Sequence, residues 1–317
     1  MQCKYRSRHN KLSCFRYQAI LAMPQHRYSS FIPLLAILGS VTCLGLGTSW
    51  AKRSLFPLVG AQGTTAVRVG FSALLLLLFW RPWRWQLSRA DLRTVALYGA
   101  ALGLTNLCFY MALRTIPFGI AVAIEFSGPL AVALLASRRP LDFVWVALAV
   151  AGLALLLPLG HDISKLDPTG VLFALAAAVC WATYIIFGKR ASHLHAGHSV
   201  SLGLAMAALV VVPVGVMHSG AALLSPVVLG VGLGVALISS AIPISLEMVA
   251  LKRLTPQAFG IMSSMEPAVA AMLAFILLDE RLDAAQWLAI AMIMAASMGS
   301  SYMAQRQKRA PAAAVHT

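Results

Sequence analysis

Charge is what this chain of 317 residues has least of. Asp, Glu, Lys and Arg make up 11% of it, where a water-soluble domain carries about a quarter. Acids are scarcer still, 10 Asp and Glu against 25 Lys and Arg. So sparse a set cannot clothe a soluble surface of this size. Catalytic signatures are missing too: H-E-x-x-H, G-x-S-x-G and the P-loop are absent, which removes zincin chemistry, a nucleophile elbow and direct ATP drive. No ring-forming or filter-like motif points to a channel. The five cysteines, Cys3, Cys14, Cys43, Cys108 and Cys180, lie in the basic N-terminal stretch or inside apolar runs and build no disulfide framework. His193, His195 and His198 crowd one loop, but without a Cys or carboxylate to complete a ligand set they read as solvated. No metal and no cofactor is expected.

What the chain has instead is apolar length. Ala, Val, Ile, Leu, Met, Phe, Trp, Tyr and Cys are 60% of it. They gather into ten runs at about 31–51, 61–80, 94–113, 117–137, 142–160, 169–189, 199–217, 226–249, 256–278 and 283–303. Each is near the ~20 residues that cross a ~30 Å hydrocarbon core. The expectation is an all-α integral membrane protein of ten transmembrane helices. The formal charge of +15 sits mainly in loops and tails, so membrane lipid headgroups are its partners rather than nucleic acid. Nothing in the sequence sets an oligomeric state.

Loop charge gives the orientation. With the N-terminus inside, 19 of the 25 Lys and Arg are cytoplasmic, among them Arg81, Arg84, Arg138, Arg139, Lys189, Arg190, Lys252 and Arg253. Lys52, Arg53, Arg114, Lys165 and Arg281 lie outside, with Arg68 within a span. Both termini are therefore expected in the cytoplasm: a tail over 1–30 and another over 304–317. Residues 1–22 are basic and unpatterned, either an extension upstream of a start at Met23 or a disordered tail.

The chain also resembles itself. Cys43 and Lys52-Arg53 align with Cys180 and Lys189-Arg190; Met111-Ala-Leu-Arg114 with Val249-Ala-Leu-Lys252; Pro129-Leu-Ala-Val with Pro267-Ala-Val; and Asp142 and Trp145 with Asp283 and Trp287, at offsets of 137 to 142. Two five-helix halves, 31–165 and 166–303, follow. Five is odd, so the second half enters the membrane inverted. Inverted repeats are the architecture of alternating-access transporters, with substrate near the midplane between the repeats.

Four charged side chains fall inside spans and each needs a reason, since burial there costs at least ~2.5–3.5 kcal/mol. Arg68 and Glu125 enter from the same side to about the same depth. They read either as a binding pair for a zwitterion, Arg68 taking a carboxylate and Glu125 an ammonium, or as a permanent bridge between two helices. Pro129 deprives the Glu125 carbonyl of its helical donor, and Pro267 does the same to Ser263. Pro243 breaks a third helix. Broken helices at matching places in two repeats point to the binding site. Intramembrane carboxylates are also the usual proton carriers, which makes Glu125 and Glu266 the candidates for coupling. Glu247 is a weaker one, close enough to Lys252-Arg253 to snorkel. Asn106, Tyr110, Ser127 and Tyr184 complete the candidate path, with Ser239 and Trp181 among further groups able to line it. Gly99/Gly103, Gly45/Gly47 and Gly230/Gly232/Gly234 read as helix-packing surfaces.

These residues resemble the EamA-type drug/metabolite transporter superfamily, and within it the inner-membrane threonine/homoserine exporters. The resemblance rests on Ser54-Leu-Phe-Pro-Leu-Val-Gly60, Gly119-Ile-Ala-Val-Ala-Ile-Glu125-Phe-Ser-Gly-Pro-Leu-Ala-Val-Ala133, Ser137-Arg-Arg-Pro-Leu-Asp-Phe-Val-Trp145, Leu157-Pro-Leu-Gly160, Ser245-Leu-Glu247-Met, Ser264-Met-Glu266-Pro-Ala and Ala295-Ala-Ser-Met-Gly-Ser300. It covers about residues 31–300 and leaves the first 22 outside the pattern. It implies a non-enzymatic carrier in a bacterial inner membrane that exports threonine, homoserine and similar small amino acids, driven by protons. Export of another small metabolite or a cationic drug is the alternative.

Overall fold

Helix begins where the sequence offers a cap or a proline to start it. In the computed structural model, which describes residues 31–84, 88–135, 142–156, 166–191, 194, 196–243, 246, 250 and 264–309, no strand occurs among the described residues. The helices are α1 (Phe31–Ser54), α2 (Phe56–Trp80), α3 (Arg89–Ala112), α4 (Phe118–Glu125), α5 (Ser127–Leu135), α6 (Asp142–Leu156), α7 (Pro168–Arg190), α8 (Ala196–Ser219), α9 (Pro226–Ala236), α10 (Glu266–Leu278) and α11 (Ala284–Arg309). Ser88 opens α3 by accepting from the Asp91 N–H, Asp167 opens α7 through Thr169, and Ser225 opens α9 through Val228. Each satisfies an orphan donor of a first turn. Pro168 and Pro226 stand at the first helical position, where a missing N–H costs nothing.

Helical segments fall within every apolar run read from the sequence, and four are long and apolar enough to cross a membrane as they stand: Phe56–Trp80, Arg89–Ala112, Pro168–Arg190 and Gly197–Leu224. Shorter apolar helices accompany them. Large apolar side chains such as Leu172, Phe79, Leu209, Met217 and Leu224 are exposed. In water that surface would be a liability; in lipid it is the required exterior. This is a multi-pass membrane protein. The charged stretch 1–30 lies outside the described residues, and α11 continues to Arg309, past the 303 boundary drawn from hydropathy.

The bundle interior is built around α4, where every residue from Phe118 to Ile124 is buried. A helix apolar on all sides belongs at the centre of an assembly. It packs against α7 and α10, while α2 packs along α8 and α3 along α7 and α8. Small residues set the α3–α8 approach: a Cβ on Gly103 would meet the Ala207 backbone at 3.0 Å, and one on Gly99 would collide with the Gly203 carbonyl. Gly230, by contrast, faces open space and is not a packing position.

Two helices are not continuous. Within α2, Gly60 takes φ +64° and ψ −174°, a conformation side chains rarely adopt, so the regular helix runs from residue 61, the start expected from hydropathy. After α9 the chain widens into a π-helical segment, Leu237–Ala241. Such segments occur frequently at functional sites, and this one proves to hold the arginine.

Candidate substrate-binding cavity

Arg68 projects from the middle of α2 and is only 7% exposed. Its guanidinium is gripped on two sides. Nε donates to Ser239 Oγ at 2.7 Å and Nη2 to the Ser239 carbonyl at 3.2 Å, while Nη1 donates to Asn106 Oδ1 at 2.6 Å. Asn106 is itself fixed, its Nδ2 donating to the Leu102 carbonyl at 2.9 Å. Beneath the guanidinium lies the Tyr110 ring, 5.3 Å from Cζ to centroid, a cation–π distance. Tyr110 is fully buried and its hydroxyl has no partner among the described residues.

The Ser239 carbonyl is available for a reason written in the sequence. Pro243, four residues on, has no N–H to give it. Pro243 is buried and its own carbonyl accepts from Ser40 Oγ at 3.2 Å. The helix-breaking proline, the π-helical segment and the serine thus act together as a cradle for one cation. Three of the five guanidinium donors are used; one N–H on each Nη has no acceptor among the described residues.

Arg68 lines a cavity of about 180 Å³. Asn106 shares its wall, as do Glu125 at the end of α4, Glu266 at the start of α10, and Tyr184 and Trp181 from α7. No ion pair joins Arg68 to Glu125, so the reading of a direct helix-to-helix bridge is not what the structure contains. The Glu125 carboxylate is half-buried and has no hydrogen-bond partner among the described residues, although it lies within electrostatic reach of Glu266 and Arg68. Tyr184 stacks on Tyr98, ring centroids 4.8 Å apart and hydroxyls 3.3 Å apart; Trp181 meets Phe126 edge to face.

The remaining expected site residues fall elsewhere. Tyr110 supports Arg68 from below and is not on the cavity wall, nor is Ser127, which opens α5 beyond the one-residue interruption at Phe126. Pro129 lies in α5, after that interruption. Pro267 stands in the first turn of α10 rather than in the middle of a continuous helix. Glu247 and Ser263 lie outside the described residues.

One constellation was not anticipated. Lys52 at the end of α1 and Glu280 in the α10–α11 turn form an ion pair at 2.6 Å. The other oxygen of Glu280 accepts the Phe118 N–H at 2.6 Å, and Arg53 donates to the Leu277 carbonyl at 3.1 Å. Phe118 is itself on the cavity wall. One carboxylate therefore ties three helix ends together at one end of the bundle. Nothing in the sequence signals that Lys52 and Glu280, 228 residues apart, would meet.

The sequence has known relatives. Residues 168–302 match the EamA-like transporter family. Over 279 residues, 88% of this chain and 94% of the relative, the sequence is 48% identical to the threonine/homoserine exporter RhtA of Escherichia coli (strain K12). It is 48% identical over 277 residues to the threonine/homoserine exporter RhtA of Salmonella typhimurium (strain SL1344), covering 87% of this chain and 94% of that one. An uncharacterized transporter, YwfM of Bacillus subtilis (strain 168), is 28% identical over 301 residues, 90% of this chain and 97% of that one. Similarity at this level over almost the whole length means that the chain belongs to the EamA-like transporter family, as a membrane transporter and not an enzyme.

Proposed function

We propose that this protein exports small neutral amino acids, threonine and homoserine among them, from the bacterial cytoplasm across the inner membrane. The observation that carries the reading is a cavity lined by a guanidinium edge and by a carboxylate with no hydrogen-bond partner among the described residues. A zwitterion answers both: its carboxylate meets the two remaining Arg68 donors, and its ammonium meets Glu125. The size agrees. At about 180 Å³ the space is below the ~300–1,000 Å³ of pockets for drug-sized ligands. A cationic drug would also have no use for Arg68.

Transport is by alternating access between two inverted five-helix repeats, 31–165 and 166–303, with both termini cytoplasmic. The loop-charge bias and the internal repeat support this, and so does the helix pairing. Exchanging the halves maps α1 onto α7, α2 onto α8, α3 onto α9 with its π-helical extension, α4–α5 onto α10 and α6 onto α11. Under that exchange the α2–α8, α6–α11 and α4–α10 pairings map onto themselves. The α3–α7 pairing maps onto that of α1 with α9 and its extension, α3–α8 onto α2–α9, and the packing of α4–α5 on α7 onto that of α10 on α1. The substrate cavity then lies between the repeats, where rocking of one against the other can expose it to either side. Glu125 and Glu266 carry the coupling proton, at least one of them releasing it as substrate binds.

The test is efflux of radiolabelled threonine from loaded proteoliposomes, with and without an imposed proton gradient. Saturable flux that rises when protons run against the threonine is expected. Vesicles that hold inserted protein yet pass no threonine would overturn the substrate, and flux indifferent to the gradient would overturn the coupling.

A further inference from the structure

The polar groups of the cavity wall are mostly committed. Arg68 and Asn106 hold each other, the Tyr184 hydroxyl meets Tyr98, and the Thr105 hydroxyl donates to the Ala101 carbonyl at 2.8 Å. The two glutamates supply charge, and the Trp181 indole can only donate. Among the described lining residues one hydroxyl makes no hydrogen bond at all, that of Thr48 on α1, which can both donate and accept and belongs to a residue that lines the cavity and is 2% exposed.

Most threonines in the described helices behave otherwise. Thr64, Thr65, Thr94, Thr105 and Thr183 all close their hydroxyls onto the carbonyl four residues back in their own helices. Thr48 has the Leu44 carbonyl at the same spacing, yet makes no hydrogen bond with any described residue. Its location is also specific. A Cβ on the adjacent Gly47 would stand 2.6 Å from Ser239 Cβ and 2.9 Å from Ser239 N. That close approach holds α1 against the segment that cradles Arg68, so Thr48 stands on the wall beside the end of the cavity where a carboxylate would bind.

We infer that Thr48 is a specificity-determining residue whose hydroxyl pairs with a hydroxyl on the substrate side chain. The inference rests on the zwitterion reading above and names the feature that sets one neutral amino acid apart from another. With the carboxylate on Arg68, a side-chain hydroxyl lies only a few bonds away. An alcohol on the ligand can donate to Thr48 or accept from it, so the same group serves hydroxyls at different positions along a short side chain. A ligand of the same skeleton without the hydroxyl would seal Thr48 in the occupied cavity with no partner, and that loss is the source of discrimination.

Proteoliposomes containing the wild type, Thr48→Val or Thr48→Ser, presented with threonine and 2-aminobutyrate in competition, test this. 2-Aminobutyrate is threonine without its hydroxyl, and valine has the shape of threonine. The wild type is expected to favour threonine. The ratio of threonine to 2-aminobutyrate flux should fall about tenfold in Thr48→Val, the worth of one hydrogen bond, and return in Thr48→Ser. Should valine at 48 prevent insertion, Thr48→Ala carries the same expectation. A ratio in the Val or Ala variant equal to that of the wild type, with threonine still carried, overturns the role of Thr48 and leaves the zwitterion site standing. Wild-type vesicles that carry neither amino acid overturn both.

Discussion

A lysine at position 68 would keep the charge and lose the site. Lysine offers a point charge on a flexible stem, and it cannot reach Ser239 and Asn106 together while still presenting two parallel donors to a ligand. Arg68→Lys should therefore insert normally yet transport threonine at least tenfold more slowly, as read by counterflow in vesicles. Ser239→Ala removes the acceptor of Nε but leaves the backbone carbonyl that accepts from Nη2. Loss of one hydrogen bond to a charged group, about 1.5–3 kcal/mol, predicts a threonine KM raised roughly tenfold or more. Arg68 and Glu125 were legible in sequence because a charge within an apolar run stands out. Ser239 did not stand out, one hydroxyl among several. The signal that could have singled it out was Pro243 four residues later, the same spacing that drew attention to Glu125 and Pro129.

Helix starts were readable for a simple reason: caps and prolines act locally. Pro117, Asp142, Asp167-Pro168 and Pro226 all stand at the head of helices. Departures from regularity were harder, since Gly60 and the Leu237–Ala241 segment express packing against distant residues rather than local preference. Pro243 lets these two influences be separated. Pro243→Ala would restore an N–H able to claim the Ser239 carbonyl and regularise the helix. The variant should melt at a higher temperature in detergent while transporting threonine less well, a stability gained at the expense of the Arg68 cradle. A lower melting temperature with unchanged transport would show that the break serves packing alone. The start of α7 makes a pH-dependent prediction. The Asp167 carboxylate is held below its ordinary range, chiefly by the backbone N–H of Thr169. Its capping contribution is thus complete above the ordinary carboxylate range, near pH 4, and is lost as pH falls through its lowered value. Amide exchange in the first turn of α7 should quicken in acid, and Asp167→Asn, which caps without titrating, should remove that dependence.

At the scale of the molecule, composition declared a membrane protein before any element was assigned, and loop charge predicts that both termini are cytoplasmic. A reporter active only in the cytoplasm should light up when fused after residue 309 and stay dark when inserted at Arg281. The long-range ion pair of Lys52 with Glu280 was beyond sequence reach, because hydrophobic periodicity says which face is buried and not against what. Arg68, Asn106, Glu125, Tyr184 and Glu266, by contrast, read from sequence as one path, do share a cavity walled by α1, α2, α3, α4, α7 and α10. That cavity carries the central claim, that its two charged sides recognise the two ends of an amino acid. The most direct measurement is competition against radiolabelled threonine transport by three unlabelled compounds: threonine itself, threoninamide, which keeps only the cation, and N-acetylthreonine, which keeps only the anion. Competition by intact threonine at least tenfold stronger than by either half-blocked compound is the predicted result. Threoninamide competing as well as threonine would contradict the account, leaving Arg68 without a carboxylate to bind.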